Sequence, residues 1–352
     1  MKRAIKLSDV AKAAGVSQGT ASNAFNRPEI VRREVREKVE AAARELGYAG
    51  PDPKGRLLRA GKVNSIGVAT TSPLDYFFED PYARTLMASI SATCDEHGAG
   101  ISLVSAASDE RLAWNIQSAI VDGFILFCVE GGERLVELTR ERGLPFIALQ
   151  LEGVDETISA LGIDEFESAR AAGRHVLSLG HRHVAILSLE LDESHVGRVS
   201  EAQIEAAVYA ATVQRIGGYR AAMAEYGIDP ATAPVYETDS TPASIHAALA
   251  SLYGADEPKP TALLCMSDRV ALMALDWLRE RGISVPGDVS VIGFDGVPEG
   301  ETSAPPLTTV AQPIAAMGRR AAEMILQGIE RPHRERLDVE LVVRGSTAPP
   351  RR

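Results

Sequence analysis

The pattern of apolar and polar positions changes character once along the chain, near residue 64. Before that point apolar residues recur in short groups at helical spacing. In KLSDVAKAAGVSQGTASNAFN, residues 6–26, Val10, Ala11, Ala13 and Ala14 carry a short helix that Ser8 can cap. Gly15-Val16-Ser17 makes a tight turn, and Ser17 can cap a second helix whose apolar face is Ala21, Ala24 and Phe25. Gln18, Gly19, Ser22 and Asn23 share the opposite face, because positions i, i+1, i+4 and i+5 cluster on a helix. Further on, Val35, Val39, Ala42 and Leu46 predict a third helix within residues 33–48, closed by Gly47. Residues 49–62 then read as a basic linker, with Leu57 and Leu58 given little to pack against.

From Asn64 onward, apolar runs of strand length alternate with helical patterns. The runs are residues 66–70, 101–106, 123–128, 145–149, 184–189, 262–266, 289–294 and 337–343. Such nearly continuous apolar strands, separated by helices, predict parallel sheets covered on both faces. Their number over about 290 residues fits two doubly wound lobes better than one. Residues 191–214 interrupt the rhythm and read as a loop followed by a helix. The terminal STAPPRR reads as a frayed tail. The fold class predicted is α/β, a three-helix head followed by a two-lobed doubly wound body. Ligands in such bodies bind at the carboxyl ends of the strands, in the cleft between lobes.

A short helix, a glycine turn and a second helix with a small polar face predict a helix-turn-helix that enters a DNA major groove. A helical hairpin without a ligand is the competing reading. Charge favours the first. The chain has a formal net charge of −11, yet residues 1–62 hold 14 Lys+Arg against 7 Asp+Glu, a net of +7, and the rest carries −18. A basic module and an acidic body suit a polyanionic partner for the head alone.

The three cysteines, Cys94, Cys128 and Cys265, form no CxxC pair, and Cys128 and Cys265 lie in apolar runs, which predicts buried thiols in a reducing compartment. The start MKRAIKLSDV has no apolar signal core, and no stretch approaches the roughly 18 apolar residues of a membrane span. A cytoplasmic protein with no membrane partner is expected.

The residues also resemble the lac repressor family of bacterial transcription regulators. LSDVAKAAGVSQGTASNAFN is similar to the family's head signature and REKVEAAARELGY to its third helix. The likeness continues through GRLLRAGK, IGVATTS, GHRHVAIL, RIGGYRAAM, SDRVALMALDWLRERGISVPGDVSVIGFD and PPLTTVAQP, nearly the whole chain. The resemblance implies a homodimer or tetramer, a near-palindromic double-stranded DNA operator, and a small effector, carbohydrate-like, that sets the lobe angle. It implies a head over 1–48, a hinge helix over 49–62 and an effector-binding body over 63–352. One lobe would take 63–163 and 313–331, the other 164–312 and 332–352. No tail with heptads follows Arg344, which disfavours a tail-built tetramer.

On this resemblance Gln18, Gly19 and Asn23 stand where the family reads bases. Gln and Asn can each pair bidentately with adenine, whereas the arginine common at the last position suits guanine. Ser17, Thr20 and Ser22 are expected at phosphates, which position without specifying; a phosphate contact is the alternative for Asn23. Arg56 and Leu58 match the hinge pattern, with Leu58 as the wedge that pries open a minor-groove step, or else a packing residue. Gly55 and Arg32 depart from the pattern, Arg32 replacing a capping serine before the third helix. For the cleft, the resemblance implies Arg215 and Asp295 as leading effector contacts, with Thr71, Gln150, Ser267, Asp268 and Gln312 at other strand ends. Phe77 and Phe78 would stack on the ligand's apolar face. Asp268 and Asp295 could serve as structural caps instead. Arg198, inside residues 191–214, a stretch longer than in typical members of the family, is a rival to Arg215.

An enzyme is the contrasting class. GRLLRAGKV separates its glycines by five residues rather than four and has Val63 where a phosphate loop needs Ser or Thr. Neither GxSxG nor GxGxxG occurs. His181-Arg182-His183 has no Cys or acidic ligand set nearby and reads as a structural turn, not a metal site. No cofactor is expected. A periplasmic binding protein is a second contrast, disfavoured by the head. A purine or sugar-phosphate effector that strengthens DNA binding is the remaining alternative.

Overall fold

In the computed structural model, residues 5–50, 62–127, 133–151, 155–191, 196–254, 258–329 and 331–351 are described. The chain divides into two compact units, Met1–Val63 and Asn64–Arg352. The hinge residues Gly55, Arg56 and Leu58, and Cys128, lie outside the described residues.

The first unit has three helices: α1 (Leu7–Ala13), α2 (Gln18–Asn26) and α3 (Arg33–Leu46). Helix α1 begins before Ser8. The Asp9 carboxylate reaches back to accept from the Lys6 N–H at 2.9 Å, so the helix starts at Leu7 and Ser8 sits within its first turn. Gly15 turns with φ of 67°, a left-handed conformation that costs a side-chain-bearing residue free energy. Ser17 caps α2 as predicted, its Oγ accepting from the Thr20 N–H at 3.0 Å. The core is small: Val10, Ala11, Ala21, Ala24, Val39, Ala42 and Ala43, bordered by Phe25 and Tyr48 edge to face at 5.8 Å. Alanines at the crossings let three short helices approach closely. Helix α3 has no side-chain cap at Arg32 and ends at Gly47.

The second unit holds two sheets. The first contains β1 (Ser65–Thr70), β2 (Gly100–Ser105), β3 (Gly123–Phe127), β4 (Phe146–Ala148), β5 (Ala160–Gly162) and β12 (Arg334–Arg336). Its order is β12-β5-β4-β3-β1-β2, parallel throughout. The second contains β6 (Val184–Ser188), β7 (Gly197–Arg198), β8 (Val235–Glu237), β9 (Ala262–Cys265), β10 (Ser290–Asp295), β11 (Thr308–Ala311) and β13 (Glu340–Val342). Its order is β13-β11-β10-β9-β6-β8-β7, parallel except at the two edges. The central strands β3, β6, β9 and β10 are buried at every position, which is why they read as unbroken apolar runs.

Helices cover these sheets: α4 (Tyr76–Glu79), α5 (Pro81–Glu96), α6 (Asp109–Ser118) and α7 (Glu133–Arg142) follow strands of the first, and α14 (Ile314–Gln327), which follows β11 of the second, packs back on the first. Around the second are α8 (Glu165–Ser178), α9 (Glu201–Glu205), α10 (Ala210–Glu225), α11 (Pro242–Gly254), α12 (Asp268–Glu280) and α13 (Pro298–Thr302). Helices α8 and α10 touch backbone to backbone at Gly218, where an added Cβ would lie 2.2 Å from the Phe166 carbonyl oxygen.

Three sequence expectations need correcting. Residues 337–343 are not one strand: β12 just before them joins the first sheet, and β13 within them joins the second. The chain crosses between sheets there, and the crossing falls inside the apolar run. The tail is not frayed over residues 346–351. Ser346 Oγ donates to the Val291 carbonyl at 2.6 Å and accepts from the Thr308 N–H, and Ala348 bonds Ser290 Oγ, so the tail is strapped along the second sheet. The excursion from Leu191 does run into a helix, α10, but the part before it carries more order than a loop. The Val208 and Tyr209 N–H groups both meet the Leu191 carbonyl, β7 pairs with β8, and α9 is tied to α10 through Glu201 and Arg220.

Buried cysteines are found at Cys94 and Cys265, and burial pushes the Cys265 thiol far up. The turn at His181 is structural: its ring joins Thr261 Oγ1 at 2.8 Å and the Ala348 carbonyl at 2.9 Å. No helix among the described residues is long and apolar enough to cross a membrane.

Candidate functional site

Two surfaces draw the chemistry-bearing residues together, one in each unit. On the head, α2 presents Gln18 and Gly19 exposed, with Ser22 and Asn23 half-buried beside them on the face opposite Ala21 and Ala24. The hydroxyls are already engaged: Ser17 Oγ with Thr20 Oγ1 at 2.8 Å, and Ser22 Oγ accepting from Asn26 Nδ2 at 3.1 Å. An engaged hydroxyl can still meet a phosphate oxygen, but its geometry is set by the helix. The amides of Gln18 and Asn23 carry the donor-acceptor pair that a base edge requires, as does the amide of Asn26 at the end of the helix.

In the body a cavity of about 450 Å³ opens between the carboxyl ends of the two sheets. Thr71 follows β1, Phe127 ends β3, Gln150 follows β4, and Leu189, Asp239 and Ser267 follow β6, β8 and β9. Asp295 ends β10 and Gln312 follows β11. Parallel strands all deliver their last residues to the same edge, so residues more than 200 positions apart in sequence meet here.

Of the predicted contacts, Thr71, Gln150, Arg215, Ser267, Asp295 and Gln312 line this cavity. Phe77, Phe78 and Asp268 do not. Phe77 and Phe78 lie in α4, where successive side chains turn by about 100°. Phe77 therefore points into the core against Phe127, Phe78 into solvent at 66% exposure, and Tyr76 toward the cavity. The aromatic wall is Tyr76, Phe127 and Tyr82, with the Phe127 ring stacked on each tyrosine at 6.0 Å. Asp268 is fully buried, and its carboxylate accepts from Gly296 N, Val297 N and Thr309 Oγ1. It fastens the turn after β10 rather than capping its own helix, a task that Ser267 performs for Val270. Arg198 lies in edge strand β7, outside the cavity wall.

Arg215 arrives from α10, its side chain only 7% exposed. Its guanidinium donates to Glu165 Oε2 at 2.7 Å and to the Met266 carbonyl, and stacks over the Phe294 ring at 3.8 Å. Burial opposes its charge, but Glu165 outweighs that and raises the pKa. Asp295 accepts from Gln312 Nε2 at 2.9 Å and from Asp268 N at 3.1 Å. Burial and then the nearby Asp268 push its carboxyl well above the usual range, against the pull of Arg215. Its φ of 137° holds the end of β10 in a conformation that L residues rarely adopt, and such strain clusters at functional positions. Second from the same wall, Asp80 faces Arg269 at 3.6 Å across the two sheets' ends.

Sequence reasoning missed Tyr76, Tyr82, Asp80, Glu165, Tyr209 and Arg269. Tyr76 carried a usable signal, since its neighbours Phe77 and Phe78 sit in a turn of helix and only one of three consecutive residues can face a given side. Glu165, three residues beyond β5 and the first residue of α8, was legible only as a helix-start acid. Among the described residues, no cluster of His, Cys, Asp and Glu could hold a metal ion.

The family model of the lacI family of bacterial regulatory proteins matches residues 6–50, and that of a periplasmic binding protein-like domain matches residues 174–347. The chain is 38% identical to an HTH-type transcriptional regulator of Mycobacterium tuberculosis, over 99% of this chain and 98% of the relative. Among solved structures it is similar to the lac repressor dimer bound to operator and the anti-inducer ONPF, with a TM-score of 0.75 and 26% identity over 98% of this chain and all of that one. It is similar also to the complex of the transcriptional regulator CelR with cellobiose, with a TM-score of 0.69 and 28% identity over 97% and 99%. The chain belongs to the lacI family of bacterial regulatory proteins and is a DNA-binding transcriptional regulator, not an enzyme.

Proposed function

We propose that this regulator is a cytoplasmic repressor, acting as a homodimer on a near-palindromic operator and released by a sugar-like effector bound in the cavity between the sheets. The observation that carries the effector is the wall itself. Asp295, Gln312, Gln150 and Thr71 offer a carboxylate, two amides and a hydroxyl beside the Tyr76–Phe127–Tyr82 stack. Hydroxyl groups of a ring take hydrogen bonds from such polar atoms, while its C–H face lies on an aromatic surface. Because the cavity has one wall on each sheet, a ligand that contacts both changes the free energy of one lobe arrangement relative to another.

At the operator, Gln18 and Asn23 would read bases and Ser17, Thr20 and Ser22 would touch phosphates. Gly19 adds no side chain, so the direct readout rests on two amides. The hinge pair Arg56 and Leu58 would contact the minor groove at the operator centre.

The experiment starts with operator selection from a random duplex library using the full-length chain. Fluorescence anisotropy then measures binding to the selected duplex with and without sugars and polyols that raise the protein's melting temperature. Release by such a compound is expected. A compound that tightens operator binding would replace release with co-repression, and a chain that selects no duplex would end the DNA reading.

A further inference from the structure

The cavity just described is dominated by one sign of charge. Seven carboxylates line it against two guanidinium groups. Three of the seven are deep. Glu165 is paired with Arg215, Asp80 faces Arg269, and Asp295 is held by neutral donors, Gln312 and the Asp268 N–H. The other four, Asp75, Glu79, Glu190 and Asp239, are exposed and stand around the mouth, two from each sheet's side.

Both arginines already stand against a carboxylate of the chain. Arg215 gives its Nε to Glu165 and its Nη1 to the Met266 carbonyl, and covers Phe294 with its face. Arg269 stands against Asp80 with its side chain 18% exposed. The N-terminus of α12, which would otherwise favour an anion, is closed by the chain's own groups: Ser267 Oγ takes Val270 N–H, and the Asp295 carboxylate takes Asp268 N–H. The first turn of α10 also reaches the cavity, at Tyr209, Ala211 and Thr212. A helix end carries roughly half a unit of positive charge, which is small beside the carboxylates.

The geometry points to an effector without any anionic group: an uncharged polyhydroxylated ring or chain, or its amino derivative. Phosphorylated sugars, sugar acids and nucleotides are rejected at the mouth and find no unpaired cation inside. This inference rests on the effector-cavity reading above and narrows its ligand class. Hydroxyl groups can donate to the carboxylates, whereas a phosphate or carboxylate offers only acceptors. An ammonium group would meet the same acceptors with its charge matched.

The test is a panel of matched compounds measured by thermal shift and calorimetry on the full-length chain. The probes are glucose, glucosamine, glucose 6-phosphate and glucuronate; ribose and ribose 5-phosphate; cellobiose and cellobionate; and linear and cyclic polyols with their phosphates. The expected result is binding by a neutral or amino member with its anionic counterpart at least tenfold weaker. Glu190→Gln combined with Asp239→Asn should narrow that gap at least threefold, and 0.5 M salt should narrow it further. An anionic member that binds as tightly as its neutral parent overturns the inference while leaving the effector cavity standing. A gap unchanged in the double variant makes the exclusion one of shape and also overturns it. If no compound shifts the melt, the effector reading falls and the inference goes with it.

Discussion

Head and body build their functional surfaces in opposite ways. The head exposes side chains from a single nine-residue helix, α2, over a core made of alanines and two valines. The body brings together strand ends from two sheets and buries the key groups: Arg215, Ser267, Asp295 and Gln312 are each at most 9% exposed. In the head, a residue that contacts the partner therefore has little to do with folding. In the cavity, the same atoms that would meet the effector also satisfy buried charges. Binding residues of the head should be separable from stability, and those of the body should not.

Arg215 tests this most severely. Truncation to Ala strands Glu165, whose side chain is 12% exposed, and removes the stack on Phe294. Breaking a buried pair by removing one partner costs about 3–5 kcal/mol, so Arg215→Ala should unfold the body at markedly lower urea as well as lose effector binding. Adding Glu165→Gln should recover part of the stability but not the binding. Equal loss in the single and double variants would remove the pair as the cause.

Asn23→Ala and Gln18→Ala test the opposite side. A bidentate base contact is worth about 1–3 kcal/mol of discrimination, so each should weaken operator binding on the order of 5–100-fold. The thermal melt of the protein should stay within a degree. A comparable drop in melting temperature would erase the contrast between head and body.

Acid offers a milder test, confined to the body. Burial holds His175 and His181 below the usual histidine range; they bond Thr347 and the Ala348 carbonyl in the strapped tail. A base with a lowered folded-state pKa binds fewer protons folded than unfolded, so stability falls as pH drops below about 6.5. Asp295 acts with the opposite sign, since its raised pKa favours the folded state as pH falls through the range above an ordinary carboxyl. His181→Gln should therefore flatten the loss between pH 6.5 and 5, measured by urea melts. A steeper loss in the variant would exclude His181 as the proton acceptor.

The smallest expected effect is a gain. Arg32 precedes α3 without a side-chain cap, and a capping serine is worth about 0.5–2 kcal/mol. Arg32→Ser should raise the head's stability by about 1 kcal/mol, read by amide exchange in α3. No change would show that another group already satisfies the first turn.

What the sequence determined by itself is whatever depends on neighbours in the chain. The spacing of Val10, Ala21, Ala24 and Val39, the cap at Ser17 and the turn at Gly15 place the head's recognition face before any fold is known, because a helix fixes which residues within two turns share a side. Continuous apolar runs likewise announced parallel sheets, since a strand covered on both faces has no polar side to show. Five short strands, β5, β7, β8, β11 and β12, escaped that reading because two to four residues carry no periodicity.

The cavity belonged to the tertiary structure. Family resemblance placed six of its residues, yet it put Phe77 and Phe78 there when one turn of helix sends them to core and solvent and leaves Tyr76 at the wall. It also could not say that Asp268 fastens a turn, or that Arg215 and Asp80 are already matched by Glu165 and Arg269. Those partners come from elements 50 to nearly 200 residues away, and a charge's meaning depends on which opposite charge the fold sets beside it. Local spacing reports direction along one element; only packing reports what stands across from it.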